Sequence, residues 1–422
     1  MNQIIIIMLL AVIISYLIYS LIKRVIKTIV FLIILFFILI LLSNLFDVSF
    51  LHVNKTKNVI GMAGDLASGL GSLFPNKIEK VNELKEKVSY KIIGMKERTA
   101  RENFAKIKIV FCPKDNCTKT LLDSIKQTKE FMYCAFYNLD SEEIISAINE
   151  LIKKGVDVRI IIDNNYEDNI IGKIKCKDCY ISDRSDDKPE AYMHNKFCII
   201  DNSTIITGSA NPTYNGLNRN DNNIIIIKGV KQLVKNYYEE FKEMWEGSYH
   251  GGKATLYTTI FINTTYFNGK VEKGVVIKNY FCPEDHCRDK VLRELNNANS
   301  SIYFLLFSFT DDSIGNMIID KHEQGVEIKG VVEKRQNKNN KYSEYKKLVY
   351  HNISVLYDYN KYNMHNKMFI IDNLTIITGS YNPTNNANYN NDENIIIIKS
   401  KKLAQLCTDY FKWILDKSQS SG

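Results

Sequence analysis

HNKFCIIDNSTIITGSAN, residues 194–211, returns as HNKMFIIDNLTIITGSYN at residues 365–382. Both fit His-x-Lys, four residues, Asp, six residues, Gly-Ser-x-Asn, with no position out of register. The repeat pairs His194 with His365, Lys196 with Lys367, Asp201 with Asp372, Ser209 with Ser380 and Asn211 with Asn382. The apolar runs 197–200 and 368–371 read as buried strands. Residues two apart on a strand share a face, so each histidine points to the same side as its lysine. Asp-Asn at 201–202 and 372–373 supplies a turn, and the strands 204–207 and 375–378 lead back to Gly-Ser. Glycine admits close backbone approach to a phosphate, and Ser209 and Ser380 add hydrogen-bond donors. Asp201 and Asp372 read as turn or structural residues. Two histidines, two lysines and two asparagines are what a symmetric phosphodiester site needs. One histidine attacks phosphorus, the other protonates the leaving oxygen, and lysines and amides hold the phosphate oxygens. A lone His-x-Lys on a strand is ordinarily a surface pair, and a lone Gly-Ser-x-Asn a turn. Their joint repetition in register is what argues for a site.

The double motif resembles the phospholipase D superfamily over roughly the last three quarters of the chain. The resemblance implies an α/β fold of two tandem lobes. The two motifs would meet at the lobe interface in one pseudo-twofold active site, with no metal or other cofactor. Glu393 stands 28 residues after His365, in NDENIIII, and Asn222 holds the equivalent place after His194, in NDNNIIII. In the nuclease-like branch of the family a glutamate here holds the ring of the motif histidine. Read copy by copy, Glu393 raises the pKa of His365, which suits a general acid. His194, facing the Asn222 amide, suits nucleophilic attack through a phosphohistidine. His365 then turns base and activates the water or alcohol that resolves the intermediate.

Asn-Pro-Thr closes the motif in both copies, at 211–213 and 382–384. In the synthases that make cardiolipin, an Asp and then Arg-Ser commonly follow the motif asparagine, and those residues are absent here. The resemblance therefore favours a nuclease acting on nucleic acid. The alternative is a phospholipase D or phosphatidyltransferase acting on membrane phospholipid, because bacterial cardiolipin synthases share a layout of two N-terminal spans and two motifs. A non-catalytic binding module is a third reading, against which two complete motifs argue. No nucleotide-binding loop, metalloprotease helix or paired-carboxylate glycosidase pattern stands out.

Outward from the motifs, the repeat continues. FCPKDNC at 111–117 matches FCPEDHC at 281–287, and each is followed by alternating helical and apolar strand segments. That alternation predicts α/β lobes over 106–247 and 276–422, built on a mainly parallel or mixed sheet. Residues 248–275 read as a linker or small β insertion. The 422 residues exceed one ordinary core. With 55 Lys plus Arg against 47 Asp plus Glu, the net charge of +8 suits anionic partners without choosing among them.

The N-terminus differs in kind. Residues 4–22 are apolar and long enough to span a bilayer, Lys23, Arg24 and Lys27 follow, and 29–45 is a second apolar stretch. Residues 1–52 thus read as a transmembrane hairpin of an integral membrane protein. Its basic turn favours the cytoplasm, which puts the catalytic region outside it, although Lys55 and Lys57 weigh the other way. Within 53–105, residues 77–97 carry an amphipathic helical pattern compatible with a stalk, a dimer seam or packing on the first lobe. Of nine cysteines, local disulfides 112–117, 282–287 and 176–179 are the simplest pairing, in keeping with an oxidising compartment. Cys134, Cys198 and Cys407 read as core residues.

Overall fold

A computed structural model describes residues 97–183, 190–267 and 270–420. The apolar N-terminal pair of segments and the amphipathic stretch before Glu97 lie outside the described residues. Among the described residues no helix is long and apolar enough to cross a membrane.

The first lobe runs β1 (Thr99–Cys112), α1 (Cys117–Lys126), β2 (Phe131–Phe136), α2 (Glu142–Lys153), β3 (Asp157–Ile162), a 3-10 turn (Asn164–Asn169) and β4 (Tyr180–Ser182). It continues with β5 (Lys196–Ile200), β6 (Thr204–Gly208), α3 (Tyr214–Asn218), β7 (Asn222–Lys228) and α4 (Lys231–Trp245). A hairpin of β8 (Thr259–Phe267) and β9 (Lys270–Cys282) follows. The second lobe repeats the order with α5 (Cys287–Asn296), β10 (Ser301–Leu306), α6 (Asp312–Glu323), β11 (Glu327–Val332), α7 (Lys334–Asn337), α8 (Tyr345–Tyr350) and β12 (Ser354–Tyr357). It ends with β13 (Lys367–Ile371), β14 (Thr375–Gly379), α9 (Asn385–Tyr389), β15 (Glu393–Lys399) and α10 (Lys401–Gln419).

Local chemistry explains these elements. Helix α2 puts Ile144, Ile145, Ile148 and Leu151 on one buried face. Helix α1 starts where Asn116 accepts a hydrogen bond from the Lys119 N–H, and α10 where Ser400 does the same for Leu403. Strands β7 and β15 carry four consecutive isoleucines, each buried. A strand covered on both faces reads as such a run rather than an alternation.

The sheet is mixed, and it is continuous. Fifteen strands follow the order β12-β11-β10-β13-β14-β15-β9-β8-β1-β7-β6-β5-β2-β3-β4, through both lobes. The joint is made by residues that sequence alone left as linker or insertion. Strand β8 pairs parallel to β1 and antiparallel to β9. Helices α4 and α10 fill a central core shared by the lobes. Tyr237 of α4 meets Phe281 of the second lobe edge-on, with ring centroids 5.0 Å apart. Tyr410 of α10 stacks on Phe111 of the first lobe at 4.0 Å. Each lobe thus lends its last helix to its partner's wall, which fixes the relative placement of the two motifs.

Four disulfides join Cys112–Cys117, Cys134–Cys198, Cys176–Cys179 and Cys282–Cys287, leaving Cys407 buried and free. The three local bonds match the spacing argument. Cys134 and Cys198 are buried, as expected of core residues, but they are bonded to each other. They stand directly opposite on the antiparallel strands β2 and β5, a register that no local pattern reveals.

Candidate active site

Each motif folds as its spacing dictates. Lys196 begins β5 and Lys367 begins β13, both 3 % exposed. The next two residues after each strand, Asp201 with Asn202 and Asp372 with Asn373, take left-handed backbone conformations that Asp and Asn tolerate. Both aspartates are clamps. Asp201 accepts hydrogen bonds from the backbone N–H groups of Lys129, Glu130 and Phe131. Asp372 accepts them from Asn299, Ser300 and Ser301. The returning strands end at Gly208 and Gly379, with φ of 143° and 146°. A Cβ at either place would collide with the carbonyl of Asn223 or Asn394. That close approach lets the Ser209 and Ser380 N–H groups donate to those carbonyls, both at 3.0 Å.

The two motifs meet through reciprocal backbone contacts. The His194 N–H donates to the Asp392 carbonyl at 3.0 Å, and the His365 N–H to the Asp221 carbonyl at 2.8 Å. Short parallel bridges Met193↔Asp392 and Asp221↔Met364 flank them. These contacts cross the histidine partners between lobes. Nδ1 of His194 lies 2.8 Å from both carboxylate oxygens of Glu393. Nδ1 of His365 lies 3.0 Å from Oδ1 of Asn222 and 3.2 Å from the Ser209 carbonyl. The copy-by-copy expectation that Glu393 holds His365 while Asn222 faces His194 is therefore corrected. Each partner opens the strand after its own motif but reaches the other lobe's histidine, because the bridges bring β15 beside His194 and β7 beside His365.

All these partners are acceptors toward the ring. The Asn222 amide nitrogen donates to the Gly216 carbonyl at 2.9 Å, which turns Oδ1 toward His365 and Ser209. Each imidazole therefore carries its proton on Nδ1 and keeps Nε2 free. Aromatic rings brace them edge-on. Tyr137 stands 4.7 Å from the His194 ring and Phe307 stands 4.5 Å from that of His365. The same rings sit under the lysines, with Lys196 Nζ 5.0 Å from Tyr137 and Lys367 Nζ 4.8 Å from Phe307.

The electrostatics are lopsided. Burial pushes His194 down to about 4, against the pull of Glu393. Burial, with the charges of Lys367 and Lys196, holds His365 well below its ordinary value. Burial likewise brings Lys196 down to about 7 and lowers Lys367 strongly. Glu393 is fully buried between them and also accepts from Asn391 at 3.0 Å. Burial lowers all four bases despite Glu393 and Asp163, so an incoming anion would favour the charged form of each base. Among the described residues, no group of three or more His, Cys, Asp or Glu is arranged to hold a metal ion.

Ser209 is spent internally, donating to Asn222 at 2.8 Å and accepting from the Asn223 N–H at 3.0 Å. Ser380 accepts from the Asn394 N–H at 2.9 Å. Both serines brace strands, and the Ser209 hydroxyl proton is given to Asn222. Asn211 and Asn382 each keep a buried side-chain oxygen without a hydrogen-bond partner among the described residues, and Asn382 lines the same cleft as His194. That cleft, about 1040 Å³, runs from Tyr137, Tyr192 and His194 across the second lobe to Lys341, Tyr342 and Lys346.

The sequence reading missed four asparagines. Asn394 donates to Asn195 at 2.8 Å and Asn223 to Asn366 at 3.0 Å, all fully buried, tying each His-x-Lys to the opposite lobe. The signal was present: asparagine fills the middle of both His-x-Lys triplets and follows both position 222 and position 393.

A family model described as "Cardiolipin synthase, PLD-like domain" matches residues 121–245 and again 291–415, together more than half of the chain. A "Phospholipase D" of Rickettsia prowazekii is 29% identical over 163 residues, which are 36% of this chain and 79% of that protein. A "Mitochondrial cardiolipin hydrolase" of Xenopus tropicalis is 29% identical over 132 residues, covering 31% of this chain and 60% of the relative. The crystal structure of a phosphatidylserine synthase of Haemophilus influenzae superposes with a TM-score of 0.53 at 11% identity, over 75% of this chain and 85% of the other. It shares the fold. Two family matches, one on each motif-bearing lobe, together with the paired His-x-Lys motifs meeting in one site, make this chain a member of the phospholipase D superfamily of phosphodiesterases.

Proposed function

We propose that the protein is a nuclease that cleaves nucleic-acid phosphodiesters through a phosphohistidine on His194. The observation that carries the substrate is the lining of the cleft. Among the described residues its walls are Ser, Thr, Asn, Lys, Asp, Glu and His side chains with three tyrosines, and no aliphatic residue. Acyl chains need an apolar wall, whereas a sugar-phosphate strand needs donors, cations and aromatic faces.

The crossed partners support the same roles for the histidines on a new ground. Attack by Nε2 of His194 forms the N–P bond and puts positive charge on that ring. The Glu393 carboxylate on Nδ1 stabilises this charge as it develops. As the P–O bond breaks, Nε2–H of His365 protonates the leaving oxygen. His365 binds that proton when the substrate's negative charge offsets Lys196 and Lys367, whose charges otherwise oppose it. Neutral His365 then takes a proton from water, whose oxygen attacks phosphorus and releases His194. Lys196, Lys367, Asn211 and Asn382 hold the non-bridging oxygens.

The specific observation on the lipid side is the pair of N-terminal apolar segments, with relatives named for phospholipid chemistry. We infer membrane anchoring and an extracytoplasmic catalytic region from those segments, and four disulfides support an oxidising compartment. The purified chain, in EDTA, should be offered labelled single- and double-stranded DNA, RNA and phosphatidylglycerol vesicles in parallel. Nucleic-acid cleavage that vanishes in His194→Ala is expected. Lipid turnover with nucleic acid left intact would replace this reading with the phospholipase or phosphatidyltransferase one.

A further inference from the structure

The two lobes part company after their third strand. Over residues 334–347 the second lobe carries six Lys or Arg and one acid. The counterpart 164–177 in the first lobe carries three Lys and two acids. The basic segment forms one rim of the cleft that begins at His194.

Some of its charges are spent and some are not. Lys347 pairs with Glu344 at 3.0 Å and Asp312 at 3.3 Å, and Arg335 pairs with Glu333 at 3.2 Å. Lys341 and Lys346 are exposed and make no ion pair among the described residues. Between them Tyr342 is 66% exposed, with Lys341 Nζ 4.7 Å from its ring centroid. The turn that presents it is tied down. The Tyr342 N–H donates to Oδ1 of Asn340 at 2.9 Å, Ser343 Oγ to Asn337 at 2.9 Å, and the Glu344 N–H to the Phe309 carbonyl at 3.0 Å. An aromatic ring held out to solvent on a braced basic turn, at the rim of a phosphodiester cleft, is built like a stacking platform.

We propose that this rim is the binding track for a single-stranded nucleic acid on one side of the scissile phosphate, with a base stacked on Tyr342 and backbone phosphates on Lys341 and Lys346. The proposal rests on the nuclease reading and adds to it a strand type and a direction of approach. His194 and Lys196 are 8% and 3% exposed, beneath the rim. An unpaired strand can bend its phosphate down to them, whereas a duplex would hold that phosphate at the surface.

The test uses the full chain with Tyr342→Ala, Tyr342→Phe, the double variant Lys341→Ala/Lys346→Ala, and Lys235→Ala/Lys242→Ala as a charge-matched control on α4. Each is assayed on a fluorescent single-stranded oligonucleotide and on bis(4-nitrophenyl) phosphate, which carries no nucleotide, and the lysine variants also for binding to phosphatidylglycerol vesicles. The readout is the ratio of the two kcat/KM values. Tyr342→Ala should lower that ratio roughly tenfold, mainly through KM, with Phe restoring it. The double lysine variant should also reduce the slope of log K against log salt for oligonucleotide binding by about 1.4, at about 0.7 per phosphate contact. Unchanged ratios in a protein that still cleaves the oligonucleotide would overturn the track alone. An equal loss in Lys235→Ala/Lys242→Ala would overturn it in favour of overall charge. A wild-type chain that turns over the small diester and not the oligonucleotide would overturn the nuclease reading with it. Lysine variants that keep the ratio but lose binding to phosphatidylglycerol vesicles would overturn the track and assign the rim to a membrane surface.

Discussion

Glu393 of the second lobe holds His194 of the first, with both carboxylate oxygens 2.8 Å from Nδ1 across a sequence separation of 199 residues. Among the described residues, Nδ1 of His365 has only the neutral Asn222 oxygen and a backbone carbonyl. The motif is repeated almost perfectly, and the charge of this partner distinguishes the surroundings of its two histidines, so the roles proposed for them rest chiefly on it. A carboxylate stabilises positive charge on the ring it touches, which is worth most on the histidine that becomes a phosphoimidazolium.

Replacing Glu393 by Gln keeps an acceptor for Nδ1–H and removes the charge. The expected result is a fall in kcat of roughly 10²-fold, within the range general for such groups, with KM little changed. Rapid-quench trapping of a labelled substrate should show slower appearance of the covalent adduct. An unaltered rate of adduct formation would assign Glu393 a purely structural part.

His365→Gln separates the two chemical steps. Without a general acid, diesters with alkoxide leaving groups should lose roughly 10²–10⁴-fold in rate. Bis(4-nitrophenyl) phosphate, whose leaving group departs without a proton, should lose far less in the first step. The adduct on His194 should then accumulate, because no base activates the resolving water. Equal losses on both substrates, with no accumulated adduct, would point to exchanged histidine roles.

Asp372 is a clamp whose removal should be felt in folding and not in turnover. Burial opposes its ionisation, but the hydrogen bonds from Ser301, Ser300 and Asn299 win and hold its carboxyl below the ordinary value. A depressed folded pKa contributes stability above the unfolded value and loses it as pH falls through the folded one. Asp372→Ala should therefore destabilise by roughly 1–2 kcal/mol at pH 7, allowing for the site's partial exposure. The difference should close in acid while kcat/KM of the folded variant stays at the wild-type value. A loss of activity without a loss of stability would contradict the clamp.

Much of this was legible in the chain, for reasons that are local. His194 with Lys196 and His365 with Lys367 share strand faces by a period of two, and Asp-Asn marks the turn in each copy. Crossed pairing was not legible, because it depends on the bridges Met193↔Asp392 and Asp221↔Met364 between distant segments. The same holds for Cys134–Cys198, which needs the β2–β5 register, and for the continuous sheet, which needs β8 to sit parallel to β1. The asparagine ties were visible as a repeated residue, but their meaning appears only when Asn394 meets Asn195.

Asp221 offers a test of the lobe interface through pH. Its carbonyl accepts the His365 N–H at 2.8 Å, and its carboxylate accepts from Asn360 at 2.8 Å and Tyr359 at 3.4 Å. Burial pushes its pKa up to about 7, with Asp358 adding to the rise and Asn360 and Tyr359 opposing it. The folded value lies above the unfolded one, so between about pH 4 and pH 7 the native state keeps a proton that the unfolded chain releases. Its contribution to stability is then fully present below pH 4 and lost as pH rises through 7. His194, whose folded value is about 4, has the opposite sign. Its stability is present above about pH 6.5 and lost as pH falls through 4, so the total curve mixes the two. Subtracting an Asp221→Asn curve from the wild-type curve cancels the histidine. The variant should match the wild type near pH 4 and exceed it at pH 8, by an amount on the order of a few kcal/mol. Denaturant midpoints measured across that range decide the matter. Parallel curves would mean that Asp221 keeps its unfolded pKa in the folded protein and that Asn360 and Tyr359 offset its burial.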